Sequence, residues 1–197
     1  MSLTEVNWST LPVPEDDGQA KHLLGARLPD VFLPSTDGNV INVTGTRGVG
    51  LKILFCFPMM GDPAQALPDG WDMIPGARGC TPQACFFRDL YQELIRTGAD
   101  NVFGISTQDQ EFQSEAVERL HLPYPLLSDE QLFFARALDL PTFEVEGTTM
   151  IKRITLILKG NVVRHVFYPI FPPHEHPKQI LEYLRAGQEK MTGGGLK

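Results

Sequence analysis

Two cysteines, Cys80 and Cys85, lie five positions apart in the segment IPGARGCTPQACFFRDLY. Cys80 follows Gly79 where an irregular stretch gives way to a helical pattern, so we expect it at or just before the first helical turn. Free backbone N–H groups and the positive end of the helix dipole favour a thiolate there. The placement predicts that Cys80 is a reactive nucleophile. The alternative is packing, because cysteine is among the most buried residue types and Cys85 could simply join the core.

The spacing of the two cysteines restricts how they can form a disulfide. Residues five apart on an α-helix have Cα atoms about 8.6 Å apart, whereas a disulfide requires about 4.4–6.8 Å. Cys80 and Cys85 therefore cannot be bridged while the helix is intact. The spacing suits a redox cycle in which one sulfur reacts, the first turn unwinds and the other sulfur resolves the oxidised form.

The remaining sulfur and imidazole groups give weaker signals. Cys56 lies inside the apolar run LKILFCFP, which predicts a buried core thiol. His174 and His176 in PPHEHP are the only close histidine pair of the sequence, and a solvated proline-rich loop is the favoured interpretation. A C-x₄-C pair lacks the clean pattern of an ordinary zinc site. We therefore predict no metal site and no cofactor.

Composition excludes several classes of function. The chain has 197 residues, 42% of them hydrophobic, and a formal net charge of −7. Such a length fits one domain with its own core, and the negative charge disfavours nucleic acid and anionic membranes as partners. No apolar run approaches the roughly 18 residues of a membrane-spanning helix, and we find no signal peptide pattern. Three cysteines are too few for a secreted disulfide framework, so we predict a cytoplasmic protein.

The elements that must position the cysteines form one predicted domain, residues 21–186. Residues 1–20 are polar and rich in Pro and Asp, which predicts an extended or mobile arm. Residues 187–197 predict a flexible tail. A Gly- and Pro-rich stretch at about 59–74 separates a buried strand from the cysteine helix. We interpret it as an insertion that is either a lid or binding element or a plain surface excursion.

Strand and helix patterns alternate along this domain. Apolar runs predict buried strands at 50–58 and 101–107, and turn residues predict hairpins at 30–43 and 150–168. This order predicts an α/β protein with a mixed central sheet and helices on both faces, the thioredoxin-like arrangement. Amphipathic periodicity predicts helices at 81–98 with Thr81 as N-cap, at 109–120 capped by Asp109, at 129–138 capped near Ser128, and at 177–186.

The segment RGCTPQACFFRDLY resembles the active-site segment of the Q-type peroxiredoxins, also called bacterioferritin-comigratory proteins, within the alkyl hydroperoxide reductase/thiol-specific antioxidant superfamily. Those proteins carry Gly-Cys-Thr, a second cysteine at this spacing and then Phe-Arg-Asp. Three further segments are similar to the family and follow in its order: GARLPDVFLPSTDGNVINV, VFGISTQD and IKRITLILKGNVV. The resemblance covers roughly residues 25–185 and implies a thioredoxin-like fold.

The resemblance also implies roles for individual residues. Cys80 corresponds to the peroxidatic cysteine and Cys85 to the resolving cysteine. Arg153 corresponds to the family's active-site arginine, which would stabilise the thiolate and the charge that develops on the departing oxygen. The backbone N–H groups of Gly79 and Cys80 would be further donors to the peroxide. From the residues alone, Arg153 would instead be interpreted as an exposed strand arginine that pairs with a surface acid.

The sequence departs from the family at one motif, Pro-x₃-Thr-x₂-Cys. Counted back from Cys80, the threonine position holds Ala77 and the proline position holds Met73. Pro75 lies close by, and we interpret it as the displaced equivalent of the motif proline. The connection from the preceding strand to Cys80 is also longer than in the family, because it contains the insertion.

The missing threonine hydroxyl raises the question of which group replaces it. In the family, that hydroxyl hydrogen-bonds the attacking thiolate and the bound peroxide. The Thr81 hydroxyl, the Gln83 amide and the Arg78 guanidinium are the nearest candidates in sequence, and we expect one of them to reach the sulfur. The predicted substrate-binding set is therefore Gly79, Pro75, Arg78 and Gln83.

The leading functional hypothesis is a thiol peroxidase that reduces hydrogen peroxide or organic hydroperoxides and is recycled by thioredoxin or a similar dithiol. We expect a monomer or homodimer with no nucleic acid or membrane partner. A thiol–disulfide oxidoreductase or redox sensor that signals through the Cys80–Cys85 pair is the second hypothesis. A non-catalytic thioredoxin-fold interaction module, with the insertion as its binding surface, is the third.

Overall fold

The computed structural model describes residues 6–45 and 50–193, with side chains to residue 188. It contains nine strands and four α-helices within these ranges. The strands are β1 (Phe32–Pro34), β2 (Val40–Asn42), β3 (Leu51–Cys56), β4 (Ala99–Ser106), β5 (Leu126–Ser128), β6 (Thr142–Val145), β7 (Thr148–Ile151), β8 (Ile154–Lys159) and β9 (Val162–Phe167). The helices are α1 (Cys80–Arg96), α2 (Gln110–Leu120), α3 (Phe133–Ala137) and α4 (His176–Gly193).

A five-stranded mixed sheet in the order β5-β4-β3-β8-β9 forms the centre of the molecule. β3, β4 and β5 run parallel, because the α1 and α2 crossovers return the chain to the same edge. β8 and β9 form a terminal hairpin antiparallel to β3. The β1–β2 and β6–β7 hairpins make two further small sheets. The predicted thioredoxin-like α/β fold with a mixed sheet is thus confirmed.

The central sheet is covered on both faces because β3 and β8 are apolar on both sides. Successive side chains of a strand point to opposite faces. Ile53 and Phe55 pack with α1, α2 and α4 on one face. Leu54 and Cys56 pack with α3, the β1–β2 hairpin and the segment before it on the other face. The two cysteines of α1 therefore lie on the face opposite Cys56.

Several predicted elements are confirmed at their predicted places. The β1–β2 hairpin turns at Gly38, whose φ of 82° is the positive value that favours glycine. β3 is the central strand of the sheet. The Asp109 side chain caps α2 by accepting a hydrogen bond from the Phe112 N–H.

Other predicted elements differ from the structure. The predicted helix 129–138 is shorter in the structure, where only α3 forms. It begins after Leu132, whose backbone has a left-handed conformation. Ser128 does not cap it; Asp129 accepts hydrogen bonds from the N–H groups of its first turn instead. The predicted hairpin 150–168 is shorter than expected, because Met150 and Ile151 belong to β7 and pair with β6. The β6–β7 hairpin and the short strand β5 were not predicted.

The two ends of the chain make more structure than the sequence suggests. Helix α4 continues to Gly193, past the predicted start of a flexible tail at residue 187, because Gln, Glu, Lys and Met at 188–191 are good helix formers. Residues 6–20 of the predicted arm lie against the domain. Residues 1–5 of that arm and 194–197 of the tail fall outside the described ranges. The division into arm, domain and tail stays a prediction.

Candidate active site

Helix α1 begins at Cys80, so its N-cap lies two residues before the predicted N-cap Thr81. Gly79 is the N-cap, with a φ of 103°, and it makes no side-chain capping bond. A Cβ at Gly79 would lie 2.5 Å from the Pro173 ring and 2.7 Å from the Trp8 indole, so only glycine fits. The turn at Gly79 sets Cys80 at the helix start, where backbone N–H groups lack intrahelical acceptors.

The Cys80 sulfur lies against a buried guanidinium. Arg153 Nη2 is 3.1 Å from Cys80 Sγ, and each residue is 3% exposed. Arg153 lies between β7 and β8. The ends of these two strands place its side chain beside the start of α1. This burial excludes the alternative of an exposed strand arginine. The guanidinium is a fixed positive charge in direct contact with the sulfur.

Backbone carbonyl groups of the loop before Cys80 hold the guanidinium in place. Nη2 of Arg153 lies 3.2 Å from the carbonyl oxygens of Gly76, Ala77 and Arg78. A planar fork of donors suits several acceptors at fixed angles. The loop conformation therefore fixes the distance from the guanidinium to the sulfur.

Gln83 completes the polar surroundings of Arg153. It lies in the first turn of α1 with no exposed surface, and its Oε1 accepts a hydrogen bond from Arg153 Nη1. Gln83 Nε2 and Arg153 Nε are buried donors that have no acceptor in the described structure. Such donors are rare in folded proteins and commonly mark a place where a ligand or water is bound.

The other predicted site residues occupy different places. The Arg78 side chain forms an ion pair with Asp72 at 3.1 Å rather than reaching the sulfur, so its predicted role at the thiolate is not supported. Pro75 lines a cavity beside Arg153. Among the described side chains, Arg153 is the only one that hydrogen-bonds the Cys80 sulfur. The expected replacement for the missing threonine hydroxyl is therefore not found.

Ala77 lies in the threonine position and has no exposed surface. Its carbonyl oxygen is 3.6 Å from Cys80 Sγ and accepts from the thiol form. Its side chain packs with Trp71, Val145 and Met150. Trp71 of the predicted insertion thus belongs to a small apolar cluster that includes residues of the β6–β7 hairpin. Through Ala77, this cluster contacts the loop before Cys80.

Cys85 lies in different surroundings five residues along α1. It is 4% exposed, and burial raises the pKa of its thiol. The buried Tyr124 hydroxyl donates to the carbonyl of the preceding residue, Ala84, at 2.7 Å. All three cysteines are free thiols and α1 is unbroken. Burial also strongly raises the pKa of Cys56, as expected for a core thiol.

The histidine pair does not form a solvated loop. His176 has no exposed surface; its Nε2 lies 2.9 Å from Thr155 Oγ1, and burial lowers its pKa to about 4. The His174 ring stacks on Trp8 at 4.8 Å between centroids. Within the described residues, no group of three or more His, Cys, Asp or Glu could hold a metal ion. No helix there is long and apolar enough to cross a membrane.

Comparison with known proteins decides the family. The Redoxin family model matches residues 23–184. The chain belongs to the Redoxin family. The Redoxin relatives it matches include the chloroplastic peroxiredoxin Q of Gentiana triflora, 29% identical over 85% of this chain and 69% of that protein, and that of Sedum lineare, 28% identical over 85% and 80%. The chain spans 66% of the length of the japonica rice protein.

Solved structures agree with the family assignment. Peroxidoxin BcpB of Mycobacterium tuberculosis is 29% identical, with a TM-score of 0.67 over 83% of this chain and 96% of that chain. A PrxQ mutant of Xylella fastidiosa, 16% identical, has the same fold with a TM-score of 0.68 over 84% and 97%. The identification as a Q-type peroxiredoxin, a thiol-dependent peroxidase and hence an oxidoreductase, is confirmed.

Some parts of the site gave no signal in the sequence analysis. Trp8 and Asp17 of the arm lie before the family match, and their contacts connect residues more than 130 positions apart. Trp71 lies in the stretch interpreted as an insertion. A tryptophan in a Gly- and Pro-rich loop is the one signal that could have been used, because such a large apolar side chain is rarely left exposed.

Proposed function

We propose that Cys80 is the peroxidatic cysteine of this Redoxin and that Arg153 is its activating cation. The observation that carries the proposal is the buried guanidinium 3.1 Å from the Cys80 sulfur at the start of α1. A fixed positive charge costs no reorganisation when negative charge develops, which makes it effective in a site that excludes water.

The first step is attack of the Cys80 thiolate on one oxygen of a peroxide. The S–O bond forms as the O–O bond breaks, and the departing oxygen takes a proton and leaves as water or an alcohol. Cys80 becomes a sulfenic acid. Arg153 Nε and Gln83 Nε2, the two buried donors without acceptors, are available to bind the peroxide oxygens. The backbone N–H groups of Gly79 and Cys80 would add to them.

The second step is attack of Cys85 on the sulfenic sulfur, which releases water and forms the Cys80–Cys85 disulfide. The intact helix separates Cα atoms at this spacing by about 8.6 Å, so the first turn of α1 must unwind. A protein dithiol then reduces the disulfide by exchange. The proposal assigns this role to thioredoxin or a similar protein.

The test is consumption of peroxide with a thioredoxin system as reductant. We expect many turnovers per chain, with loss of turnover in Cys80→Ser and accumulation of Cys80 sulfenic acid in Cys85→Ser. Cys56→Ala is the matched control and should keep activity. A single turnover per chain in the presence of reductant would favour a sensor. No reaction of any cysteine with peroxide would favour the interaction module.

Location and assembly belong to the same proposal. The low cysteine count supports a reducing cytoplasm, whereas the plant relatives are named chloroplastic. We propose a monomer or homodimer. Fractionation of cells that express the tagged protein tests the first point, and light scattering of purified protein tests the second.

A further inference from the structure

A cavity of about 300 Å³ lies beside Arg153, bounded on one side by the N-terminal arm. Pro14 and Asp17 of the arm line it, together with Ile74, Pro75 and Phe143. Most of its lining residues are apolar. Hydrogen peroxide needs far less room, because one water in the liquid occupies roughly 30 Å³. The cavity is therefore sized for a larger molecule.

The arm is fixed at both of its ends. Asp17 accepts from Lys152 Nζ at 2.7 Å and from the Tyr168 hydroxyl at 2.9 Å. At the other end, the Trp8 indole stacks on His174 and reaches over Gly79. The segment between these anchors carries Pro14, so two separate contacts hold the arm against the cavity.

The arm, which forms one wall of the cavity, lies outside the segment that matches the Redoxin family. The Redoxin match begins at residue 23, whereas the arm residues that line the cavity lie between 14 and 17. Ile74 from the predicted insertion lines the same cavity. The arm, which lies outside the family match, thus helps to enclose a cavity next to a residue that contacts the Cys80 sulfur.

The charge at the cavity restricts which molecule it takes. Lys152 is already paired with Asp17, and Glu15 adds a second carboxylate to the lining. The low pKa of Asp17, about 2 because Lys152 hydrogen-bonds it, keeps that pair charged at neutral pH. Arg153 balances Glu15 in the lining, so the two cations and two carboxylates leave no net charge to attract an ionised ligand, whereas an uncharged apolar body would contact proline, isoleucine and phenylalanine side chains.

We infer that the arm is a specificity element that binds the apolar body of an uncharged organic hydroperoxide, with its O–O group directed to Arg153. This inference rests on the proposed function, since it names the preferred substrate class of the same site. Asp17 and Pro14 are its specificity-determining residues. Ile74 of the insertion adds to the apolar lining.

The test compares two peroxides in the full chain. The ratio of kcat/KM for cumene hydroperoxide to kcat/KM for hydrogen peroxide is measured in wild type, Asp17→Ala and Asp16→Ala. We expect the ratio to fall about tenfold in Asp17→Ala, because loss of one apolar contact surface commonly changes discrimination by about 10–200-fold. Asp16→Ala removes the same charge one residue away and should leave the ratio unchanged. An unchanged ratio in Asp17→Ala would overturn the inference.

A second variant and a binding measurement separate this inference from the proposed function. Pro14→Trp fills the cavity while keeping the Asp17 anchor, and it should lower the same ratio. Cumyl alcohol, the unreactive product of cumene hydroperoxide reduction, should bind wild type at least fivefold more tightly than Asp17→Ala by NMR titration. If wild type binds the alcohol in this arm-dependent way but reduces no peroxide, the cavity assignment stands and the peroxidase proposal fails. Equal binding by both forms would overturn the inference whatever the activity.

Discussion

The two cysteines of α1 lie five residues apart in opposite chemical surroundings. Cys80 contacts a guanidinium and a backbone carbonyl oxygen. Cys85 takes its raised pKa from burial first, with the charges of Arg88 and Asp89 as smaller influences. Both are almost fully buried, so exposure does not distinguish them. The two thiols therefore differ in the tertiary contacts that reach the sulfur and not in access to solvent.

The largest expected effect tests which cysteine is the nucleophile. Cys80→Ser should lower peroxidase turnover on the order of 10⁴-fold or more, as removal of a nucleophile commonly does. Cys85→Ser should keep the first turnover, because the Cys80 surroundings are unchanged. Stopped-flow consumption of peroxide and mass spectrometry of the oxidised chain measure both. Oxidation that appears first at Cys56 or Cys85 would reverse the comparison.

The second prediction removes the cation that distinguishes Cys80. Arg153→Ala should lower the rate of sulfenic acid formation by about 10²–10³-fold, the usual cost of one positioned donor to developing charge. Arg153→Lys should recover only part of this, because lysine keeps the charge but loses the planar fork. Arg164→Ala, which removes an exposed arginine of β9, is the control. An unchanged rate in Arg153→Ala would mean that Arg153 does not account for the difference between Cys80 and Cys85.

The third prediction concerns the interior against which α1 packs. His176 contacts Phe87 of α1 and has a pKa of about 4, mainly because of burial. The unfolded chain binds the proton near pH 6.5, so the stabilising effect of neutral His176 is complete above pH 6.5. It is lost as pH falls towards 4, and amounts to about 3 kcal/mol. The free energy of unfolding, measured with urea between pH 7 and pH 4, should depend less on pH in His176→Gln than in wild type.

The matched control for this pH dependence is His121→Asn, because His121 is exposed. Its unfolding free energy should follow the wild-type pH dependence. If His176→Gln shows the same pH dependence as wild type, the interior behind α1 tolerates a charged His176, and burial is not what lowers its pKa.

The fourth prediction tests the threonine position. Ala77→Thr should lower the free energy of unfolding by about 1–3 kcal/mol, because extra atoms must enter the filled space beside Trp71. We expect no increase in peroxidase rate. Ala186→Thr, on the exposed face of α4, should cost less than about 0.7 kcal/mol. A faster and equally stable Ala77→Thr variant would show that the missing hydroxyl limits this site.

The smallest expected effect concerns the helix turn around Cys85. Tyr124→Phe removes the hydrogen bond to the Ala84 carbonyl, a loss of about 1 kcal/mol. Unwinding should become easier, so disulfide formation after oxidation should accelerate a few-fold in a quenched-flow assay. Tyr91→Phe removes a hydroxyl from α1 itself and serves as control. A slower reaction in Tyr124→Phe would mean that this contact positions Cys85 for attack.

The sequence was sufficient for the parts of the site that depend on local order. Hydrophobic periodicity located the central strands and α1, and with them the placement of Cys80 at a helix start. The role of Arg153 was predicted only from the resemblance, because its burial depends on contact with a loop that lies 76 residues earlier in the chain. The helix start itself was misplaced to Thr81. The positive φ of Gly79 depends on Trp8 and Pro173, which lie far away in sequence.

The arm shows the same limit. Its composition predicts an extended or mobile segment, but composition carries no information on the Asp17–Lys152 contact. The short hairpin β6–β7 was missed for a related reason. Its four-residue strands are too brief for a periodic pattern, and it is stabilised by packing on Trp71.

The placement of Trp8 and Trp71 has a practical consequence. They are the only tryptophans of the chain; one lies over Gly79 and the other packs on Ala77. Both indoles therefore contact the loop that leads into Cys80. Unwinding of the first turn of α1 must change the surroundings of the Trp8 indole. Intrinsic emission of the unlabelled protein is thus an optical reporter of the redox cycle, with no background from tryptophan elsewhere in the fold.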